Sequence, residues 1–352
     1  EEREGNSNIE EEYLTNYLKR KGYSDGHISK AIFELQQVAT NFSDSLYTTN
    51  KNVYSKLRNG VKVKVSAGEN YDTVKLINWQ DPQDNDFYIA EEVTYKGNKT
   101  KRPDIVLYIN GIAIAVLELK RGIVDIGEGI RQNITNMQDR FIQPFFATNQ
   151  ILFSGNDSEG LRYGTISSPE KFYLSWKEDV EDNSRLLLDK YLIKMCSKER
   201  IIELLYDFIV FDAGIKKLPR VHQYFGVKES QKYVNRYEGG IIWHTQGSGK
   251  SISMVYLAKW ILESNPKARI AIVTDRDELD KQIEDVFTDS GETIFRTKSG
   301  RDLMGKLGQP SPRLLCSLVH KFGKKDVANF EKYLTELREN PVQVSGELFV
   351  FV

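Results

Sequence analysis

The sequence reads HTQGSGKS from His244 to Ser251, and this stretch decides the fold of the second half of the chain. An apolar run at 239–243 precedes it, and residues 252–261 carry apolar side chains at helical spacing. A strand, a glycine-rich turn and a helix in this order form a loop whose backbone N–H groups close around phosphates. The stretch therefore predicts an ATP site, against the alternative of an ordinary glycine turn before a helix.

The side chains of this loop have predictable roles. Lys250 can reach the β- and γ-phosphates, and the hydroxyl of Ser251 can hold Mg²⁺. His244 stands where the G-x-x-x-x-G-K-[ST] pattern has its first glycine, which is a departure from that pattern. The expected phosphate-binding residues are Thr245, Gly247, Ser248, Gly249, Lys250 and Ser251.

Strands and helices alternate after the loop. The spacing of apolar residues predicts strands at 270–273, 314–318 and 348–352 and helices at 252–264, 277–287 and 325–338. Regular alternation of this kind predicts a parallel sheet joined by right-handed crossovers.

A second group of chemically notable residues lies far upstream. Asp104 opens an apolar run at 105–109, Asn110-Gly111 is a strong hairpin signal, and a second apolar run ends in Glu118-Leu119-Lys120. Two carboxylates can hold a hard cation such as Mg²⁺, and an ammonium can orient a water molecule or stabilise charge developing at phosphorus. The set predicts a metal-dependent site that cleaves phosphodiesters, with Asp104 and Glu118 as metal ligands and Lys120 beside them.

The position of these charges in the predicted sheet bears on their function. Residues 112–117 are apolar on both faces, which indicates a central strand, and charges at the end of a buried strand need a reason. The alternative is a solvated strand edge. Strand periodicity places Glu118 and Lys120 on one face, whereas a two-residue turn pairs position 104 with 117 and sends Asp104 to the other face. We therefore expect a three-residue loop or a β-bulge in this hairpin.

Composition narrows the class of protein. The 352 residues are 40% hydrophobic, which is enough for full cores in two domains. Lys and Arg number 49 against 50 Asp and Glu, so the net charge of -1 gives no global sign of a nucleic-acid binder, and local patches must supply phosphate contacts. The candidates for such contacts are Lys96, Lys99, Lys101, Arg102, Lys216, Lys217 and Arg220.

The sequence also bears on the cellular compartment. Cys196 and Cys316 are isolated, which argues against a disulfide framework or a zinc site and fits a reducing cytoplasm. No apolar run approaches the ~20 residues of a membrane span, and the polar start at 1–8 differs from a signal peptide. We expect a cytoplasmic chain with no membrane partner.

Asp104, Glu118 and Lys120 resemble the PD-(D/E)xK nuclease core. In that family a helix before the core often donates a further acidic residue, which implies a catalytic role for one residue of Glu10-Glu11-Glu12, with Glu11 as the expected one. The competing interpretation is an acidic first helical turn that the helix dipole favours.

The longer pattern resembles the restriction (motor) subunit of type I restriction-modification enzymes. Residues 243–251 and 273–282 look like its motifs I and Ia, and 220–225 resembles the segment that contacts adenine in superfamily 2 helicases. The resemblance implies that Gln223 recognises adenine, since a side-chain amide offers the base both a donor and an acceptor. In the family a Gln-x-x-x-Tyr motif follows the nuclease lysine, and Gln132 fits its first position, whereas the tyrosine position is Asn136 here.

The resemblance covers nearly the whole chain and implies an N-terminal fragment of such a subunit. The implied fold is α/β, with a PD-(D/E)xK nuclease-like mixed sheet at 1–165, a helical connector at 166–215 and a RecA-like parallel-sheet domain of superfamily 2 at 216–352 that stops before the acidic box. The implied activity is that of an ATP-dependent DNA translocase and Mg²⁺-dependent endonuclease, which cuts double-stranded DNA after translocation together with methyltransferase and specificity subunits. The chain alone is then expected to lack motor activity.

Two other functions stay open at the level of sequence. One is another helicase-nuclease fusion, from DNA repair or a type III restriction system. The other is a non-catalytic docking scaffold with a degenerate nuclease fold, against which the intact Asp104, Glu118 and Lys120 argue.

Overall fold

The structure, a computed structural model, describes residues 7–41, 43–66, 68, 70–178, 182, 184–275, 283–284, 287–288, 293–319, 335, 338–339, 341 and 343–352. The chain divides into two compact units, Glu1–Val221 and His222–Val352. Each unit has its own sheet and its own buried apolar residues.

The first unit is built around a mixed sheet. Its strands and those of the smaller ribbons beside it are β1 (Val61–Val63), β2 (Asp72–Val74), β3 (Phe87–Glu91), β4 (Tyr95–Lys96), β5 (Thr100–Lys101), β6 (Ile105–Ile109), β7 (Ile112–Leu119), β8 (Ile151–Asn156), β9 (Gly160–Gly164), β10 (Leu174–Ser175), β11 (Val210–Asp212) and β12 (Ile215–Lys217). Within the described residues the main sheet has the order β10-β9-β8-β7-β6-β3. β7 runs parallel to β8 and antiparallel to β6, so the sheet is mixed, as the family resemblance implies.

β7 is the central strand on which the first site depends. Its residues from Ile112 to Glu118 are buried, because α4 and neighbouring segments cover the sheet. An apolar run buried on both faces is typical of an interior strand. The prediction of a central strand at 112–117 is therefore confirmed.

The helices of the first unit begin where the sequence offers capping residues. Ser24, Ser45 and Ser197 each accept a hydrogen bond from a backbone N–H of the first turn of the helix that follows. The helices are α1 (Glu11–Arg20), α2 (Asp25–Ala39), α3 (Leu46–Asn59), α4 (Gly127–Asn136), α5 (Leu187–Met195) and α6 (Lys198–Asp207).

Two stretches of the first unit differ from the sequence-based expectation. The apolar residues at 144–153 predict a strand, but a 3-10 helix occupies Gln143–Ala147 and β8 starts only at Ile151. Pro144 favours the helical turn because its ring fixes φ near the helical value and it has no N–H to give a strand. The expected helical connector also contributes to the sheet, since β10 pairs with β9 and α5 packs on β9. The domain limits at 1–165, 166–215 and 216–352 stay predictions.

The second unit contains a parallel sheet. Its elements are α7 (Val221–Asn235, which starts at the boundary), α8 (Lys250–Ser264), β13 (Ala268–Thr274), β14 (Ile294–Arg296), α9 (Gly300–Leu307), β15 (Leu314–Leu318) and β16 (Glu347–Phe351). In the described part of this unit the strands lie in the order β14-β15-β13-β16, all parallel. The predicted parallel sheet is confirmed, while the helices expected at 277–287 and 325–338 fall largely outside the described residues.

One predicted strand of the second unit is absent. Residues 239–243 have no strand hydrogen bonds, and the side chains of Ile241 and Trp243 are 91% and 90% exposed. The expectation of a buried strand before the phosphate loop is wrong for this structure. Two consecutive glycines, Gly239 and Gly240, precede the apolar side chains and make this backbone costly to order.

No helix in the described ranges is long and apolar enough to cross a membrane.

Candidate functional site

A β-bulge brings the two carboxylates of the first unit to the same side of the sheet. The hairpin turns tightly, since Ile109 pairs with Ile112, but the register between β6 and β7 shifts at Leu107 and Tyr108. Beyond the shift Ile105 pairs with Leu117, so the next position out, Asp104, faces Glu118. The bulge that the chemistry requires is present.

Glu118 is the most unusual titratable group of this site. Its side chain is 0% exposed, and burial together with the neighbouring Asp104 charge raises its pKa from 4.5 to about 8. The positive charge of Lys120 acts in the opposite direction. A pair of adjacent carboxyl groups that resists double ionisation is a natural position for a divalent cation, which relieves the repulsion.

Side chains from α4 complete the surroundings of Glu118. Nε2 of Gln132 donates to Oε2 of Glu118 at 2.5 Å, and Nζ of Lys120 donates to Oε1 of Gln132 at 2.8 Å. Gln132 therefore bridges the carboxyl group and the ammonium. Nδ2 of Asn136, one helical turn further on, lies 3.5 Å from Oε1 of Glu118, and its own Oδ1 is buried without a hydrogen-bond partner.

The backbone at the end of β7 fixes the other members of the site. The N–H of Leu119 donates to Oδ2 of Asp104 at 2.7 Å, which holds this carboxylate beside Glu118. Nζ of Lys120 also donates to the carbonyl of Leu119 at 3.1 Å. Of its three N–H donors, the described residues accept two, so one is available to a water or a phosphate oxygen.

Close packing of α4 on the sheet positions Gln132, and sequence reasoning did not find the residues that achieve it. A Cβ at Gly129 would collide with Oγ of Ser154 and would lie 3.3 Å from the carbonyl of Glu118, so only glycine fits there. Oγ of Ser154 donates to the carbonyl of Ile126, and the amide of Asn133 donates to the carbonyl of Phe153, both at 2.9 Å. The sequence signal for this close packing was the pair of glycines at the start of α4, Gly127 and Gly129.

Glu11 does not join this site. The N–H of Glu10 donates to the carbonyl of Gly111 at 2.7 Å, so α1 starts at the hairpin turn, the opposite end of β7 from Glu118. Strand geometry separates these two ends by roughly 20 Å, at about 3.3 Å per residue. The side chain of Glu11 is exposed and accepts a hydrogen bond from Gln36 at 2.6 Å. Among the described residues, no group of three or more His, Cys, Asp or Glu side chains gathers at one point.

The raised pKa of Glu118 predicts a pH-dependent cost in the metal-free fold. Below pH 4.5 the carboxyl group is protonated in both states, whereas between pH 4.5 and about 8 the unfolded chain ionises and the folded chain keeps its proton. Stability is lost as pH rises through this window, by about 5 kcal/mol at most. We expect Glu118→Gln to be more stable than the wild type at pH 8, and to show no such gain at pH 4.5. Urea denaturation at both pH values in EDTA measures this.

The exposed Glu11 provides the matched control for that measurement. Glu11→Gln removes the same charge from the same unit and should leave the difference between the two pH values unchanged. An unaltered or reduced stability of Glu118→Gln at pH 8 would show that the carboxyl group ionises normally.

The phosphate-loop residues of the second unit lie at the start of α8. Gly247 and Gly249 have φ angles of 76° and 84°, a region that favours glycine, and Gly249 caps the helix without a side-chain hydrogen bond. The first N–H groups of a helix have no intrahelical acceptor, so this end is suited to an anion. Lys250 begins the helix, and its Nζ donates to the carbonyls of His244 and Thr245 at 3.3 and 3.5 Å. Ser251 follows, half-buried.

Gln223 packs against the same loop. Its side chain is buried, and Nε2 donates to the carbonyls of Ser248 and Gly249 at 3.1 and 3.0 Å. The imidazole of His222 lies 3.1 Å from the Ser248 carbonyl and edge-on to the ring of His244. Burial, His222 and Lys250 lower the pKa of His244. The structure thus brings the predicted adenine-recognition residue together with the loop.

Lys216, a candidate phosphate contact, is not available to a ligand. Its side chain is 2% exposed, and Nζ donates to Oδ1 of Asn50 at 2.8 Å and to Oε1 of Gln150 at 2.5 Å. Burial lowers its pKa well below the ordinary value for lysine. Its neighbour Lys217 forms an ion pair with Asp212. The expectation that Lys216 contacts phosphate is wrong, because the hairpin of β11 and β12 turns that side chain into the interior.

Comparison with known protein families accounts for most of the chain. Residues 1–171 match the family described as type I restriction enzyme R protein N terminus. Residues 222–352 match the family described as SWI2/SNF2 ATPase.

Individual proteins similar to this chain are also named as subunits of type I restriction enzymes. The chain is 29% identical over 334 residues to the putative type I restriction enzyme MjaIXP endonuclease subunit of Methanocaldococcus jannaschii. The aligned region covers 84% of this chain and 32% of that protein. The chain is 30% identical over 280 residues to the type I restriction enzyme HindI endonuclease subunit of Haemophilus influenzae, covering 72% and 26%. A Staphylococcus aureus subunit of the same type is 26% identical over 266 residues, covering 71% and 28%.

The chain therefore spans about a third or less of the length of these relatives. The family matches stand in the order that the motifs indicate, with the restriction-enzyme match first and the ATPase match second. The resemblance seen in the sequence motifs is confirmed, and the chain belongs to the family of type I restriction enzyme endonuclease subunits.

Proposed function

We propose that this chain is the part of an ATP-dependent DNA translocase that carries a Mg²⁺-dependent endonuclease site and the first portion of the motor. In this proposal the complete subunit draws double-stranded DNA in and cuts it after translocation, in the cytoplasm, together with methyltransferase and specificity subunits. The first unit cuts, with a PD-(D/E)xK-type site, and the second unit binds ATP in a RecA-like domain. The proposed limits of these parts are 1–165 and 216–352, joined by 166–215.

The observation that carries the proposal is the convergence of four side chains at the end of the central strand. Asp104 lies opposite Glu118, and Gln132 connects Glu118 to Lys120 through hydrogen bonds of 2.5 and 2.8 Å. Asp104 directly precedes β6, Glu118 and Lys120 lie at the end of β7, and Gln132 lies on α4. A buried carboxyl group with a raised pKa beside a second carboxylate and a lysine is costly to fold and supports a functional role.

The donor set fits Mg²⁺. Two adjacent carboxyl groups, Asp104 and Glu118, offer the oxygen ligands that this ion prefers, and few protein ligands suffice because Mg²⁺ keeps several waters. When bound, the ion would neutralise negative charge at the phosphate and activate a water. Gln132 holds Glu118 in place and orients the Lys120 ammonium, whose remaining N–H can donate to the attacking water or to an oxygen on phosphorus.

The second unit supports binding of ATP. Backbone N–H groups around Gly247, Ser248 and Gly249 at the start of α8 would hold the phosphates, with Thr245 beside them. Lys250 would exchange its two long contacts with loop carbonyls for stronger, charge-assisted contacts with phosphate oxygens. Ser251 would hold the nucleotide's Mg²⁺, and Gln223 would recognise adenine from its position against the loop.

A metal titration of the chain tests the nuclease assignment without requiring any motor activity. Calorimetric titration with Mn²⁺ or Mg²⁺ should show one site in the first unit, and Asp104→Asn should weaken that site at least about tenfold, since it removes one of two charged ligands. Glu11→Gln is the matched control and should bind as the wild type does, because Glu11 lies at the other end of β7. Equal weakening in both variants, or none in Asp104→Asn, would contradict the proposed ligand set.

A further inference from the structure

Three cationic side chains surround one aromatic ring at the surface of the first unit. Nζ of Lys101 lies 4.7 Å from the centre of the Phe141 ring, Nζ of Lys99 lies 5.2 Å from it, and Cζ of Arg140 lies 5.2 Å from it. We call Lys99, Lys101, Arg140 and Phe141 the Phe141 cluster. Lys99 and Arg140 are exposed, and the other two members are half-buried.

The backbone that carries the cluster is fixed in place. Lys99 and Lys101 lie on the ribbon of β4 and β5, whose turn rests on the segment before Phe141. The N–H of Asn98 donates to the carbonyl of Phe141 at 3.0 Å, and the Asn98 amide donates to the carbonyl of Asp139 at 2.6 Å. A Cβ at Gly97 would lie 2.5 Å from the Phe141 carbonyl, so the two backbones pack as closely as glycine allows.

A second anchor ties the ribbon to the core. Tyr95, which pairs with Lys101 in the ribbon, packs against the buried Phe145 at 5.0 Å between ring centres, with the rings tilted by 53°. Because both ends of the ribbon are held, a ligand does not have to order the backbone of the cluster when it binds, which favours affinity.

The charges of the cluster are not neutralised by neighbouring residues. Within the described part of the chain, no carboxylate forms an ion pair with Lys99, Lys101 or Arg140, and the Nε of Arg140 donates only to the neutral amide of Gln138, at 2.9 Å. The adjacent Asp139 contributes its backbone carbonyl to the turn. Contact of a cation with a ring at the surface is weaker than a charge-assisted bond to phosphate.

The cluster is continuous with the proposed nuclease site. The ribbon leads into that site along the chain, since β5 ends at Lys101. Asp104 follows Lys101 by three residues in the chain. The intervening Arg102 forms an ion pair with Glu92 and is therefore not counted in the cluster.

We propose that the Phe141 cluster binds the phosphodiester backbone of double-stranded DNA next to the bond that the nuclease site cuts. This inference rests on the proposed function for its substrate, but it assigns the contact to particular residues. A group of like charges on a fixed backbone suits the phosphates of a duplex, which carries one charge per about 1.7 Å of helix axis. Such contacts position DNA without reading its sequence.

The salt dependence of DNA binding tests the proposal. The affinity of the 352-residue chain for a short duplex is measured in EDTA over a series of KCl concentrations, so that neither metal binding nor cutting enters the result. Each phosphate contact contributes about 0.9 to the slope of log affinity against log salt concentration. The triple variant Lys99→Ala, Lys101→Ala, Arg140→Ala should therefore lower the magnitude of the slope by about 2 to 3.

A matched triple variant controls for the loss of charge. Arg20, Lys171 and Lys198 are also two lysines and an arginine of the first unit, and they lie 5.5, 5.0 and 5.2 Å from the rings of Tyr17, Phe172 and Phe87. Their replacement by alanine should leave the slope within about 0.5 of the wild-type value, since they make none of the proposed phosphate contacts. A further variant, Lys99→Arg with Lys101→Arg, keeps the charges and should keep the slope.

The outcomes separate this proposal from the proposed function. An unchanged slope in the cluster variant, or an equal fall in the control variant, would overturn the role of the Phe141 cluster whatever the metal titration shows. A lowered slope in the cluster variant together with a failed metal titration would support DNA binding here and reject the nuclease ligands. Melting curves of all variants by circular dichroism ensure that the compared chains are folded.

Discussion

Replacement of Lys250 by alanine is expected to lower ATP hydrolysis by the complete enzyme by at least about 10²- to 10³-fold, the usual effect of removing one donor that stabilises charge in a transition state. Lys250 is the first residue of α8, and its Nζ contacts the loop carbonyls of His244 and Thr245. DNA cutting that depends on movement should be lost together with hydrolysis, although the nuclease residues are intact.

Phosphate release in the presence of duplex DNA measures this effect. Lys267→Ala is a suitable control, because Lys267 is an exposed lysine just beyond the end of α8. Hydrolysis by Lys250→Ala at the wild-type rate would contradict a role of the phosphate loop in ATP hydrolysis.

Replacement of Lys120 by alanine should abolish DNA cutting and leave ATP hydrolysis in place. We expect DNA cutting to fall by at least about 10²-fold, because the cation that Gln132 aligns with Glu118 is gone and charge developing at phosphorus loses its donor. ATP hydrolysis should stay within about twofold of the wild type, since Lys120 belongs to the unit that ends at Val221 and the phosphate loop to the unit that follows.

Linearisation of circular DNA by the complete enzyme measures the loss of cutting. Lys171→Ala serves as the control, as it removes an exposed lysine of the same unit. A Lys120→Ala enzyme that still linearises DNA at the wild-type rate would reject the nuclease assignment.

Much of the first site was predictable because it depends on local signals. Strand periodicity places Glu118 and Lys120 on one face, and the apolar run before them indicates a central strand. Even the need for a bulge followed from the tight turn at Asn110-Gly111, since a regular hairpin sends Asp104 to the wrong face. The position of the bulge, at Leu107 and Tyr108, was not predictable because it depends on packing along the whole hairpin.

Long-range packing explains where the sequence was insufficient. An acidic residue on α1 was expected to join the metal site, but a backbone hydrogen bond from Glu10 to Gly111 ties the start of that helix to the far end of the strand. The burial of Lys216 depends on Asn50 and Gln150, which lie far from it in sequence. In the second unit the phosphate loop and strands β13, β15 and β16 were found, whereas the apolar run at 239–243 stays outside the sheet.

In our proposal one chain carries an ATP site and a separate phosphodiester-cutting site. The most direct test follows phosphate release and DNA linearisation in the same reaction, with the complete enzyme, ATP, Mg²⁺ and circular DNA. We predict both activities in the wild type, phosphate release without cutting in Lys120→Ala, and neither activity in Lys250→Ala. Equal loss of both activities in Lys120→Ala, or cutting by that variant at the wild-type rate, would contradict it.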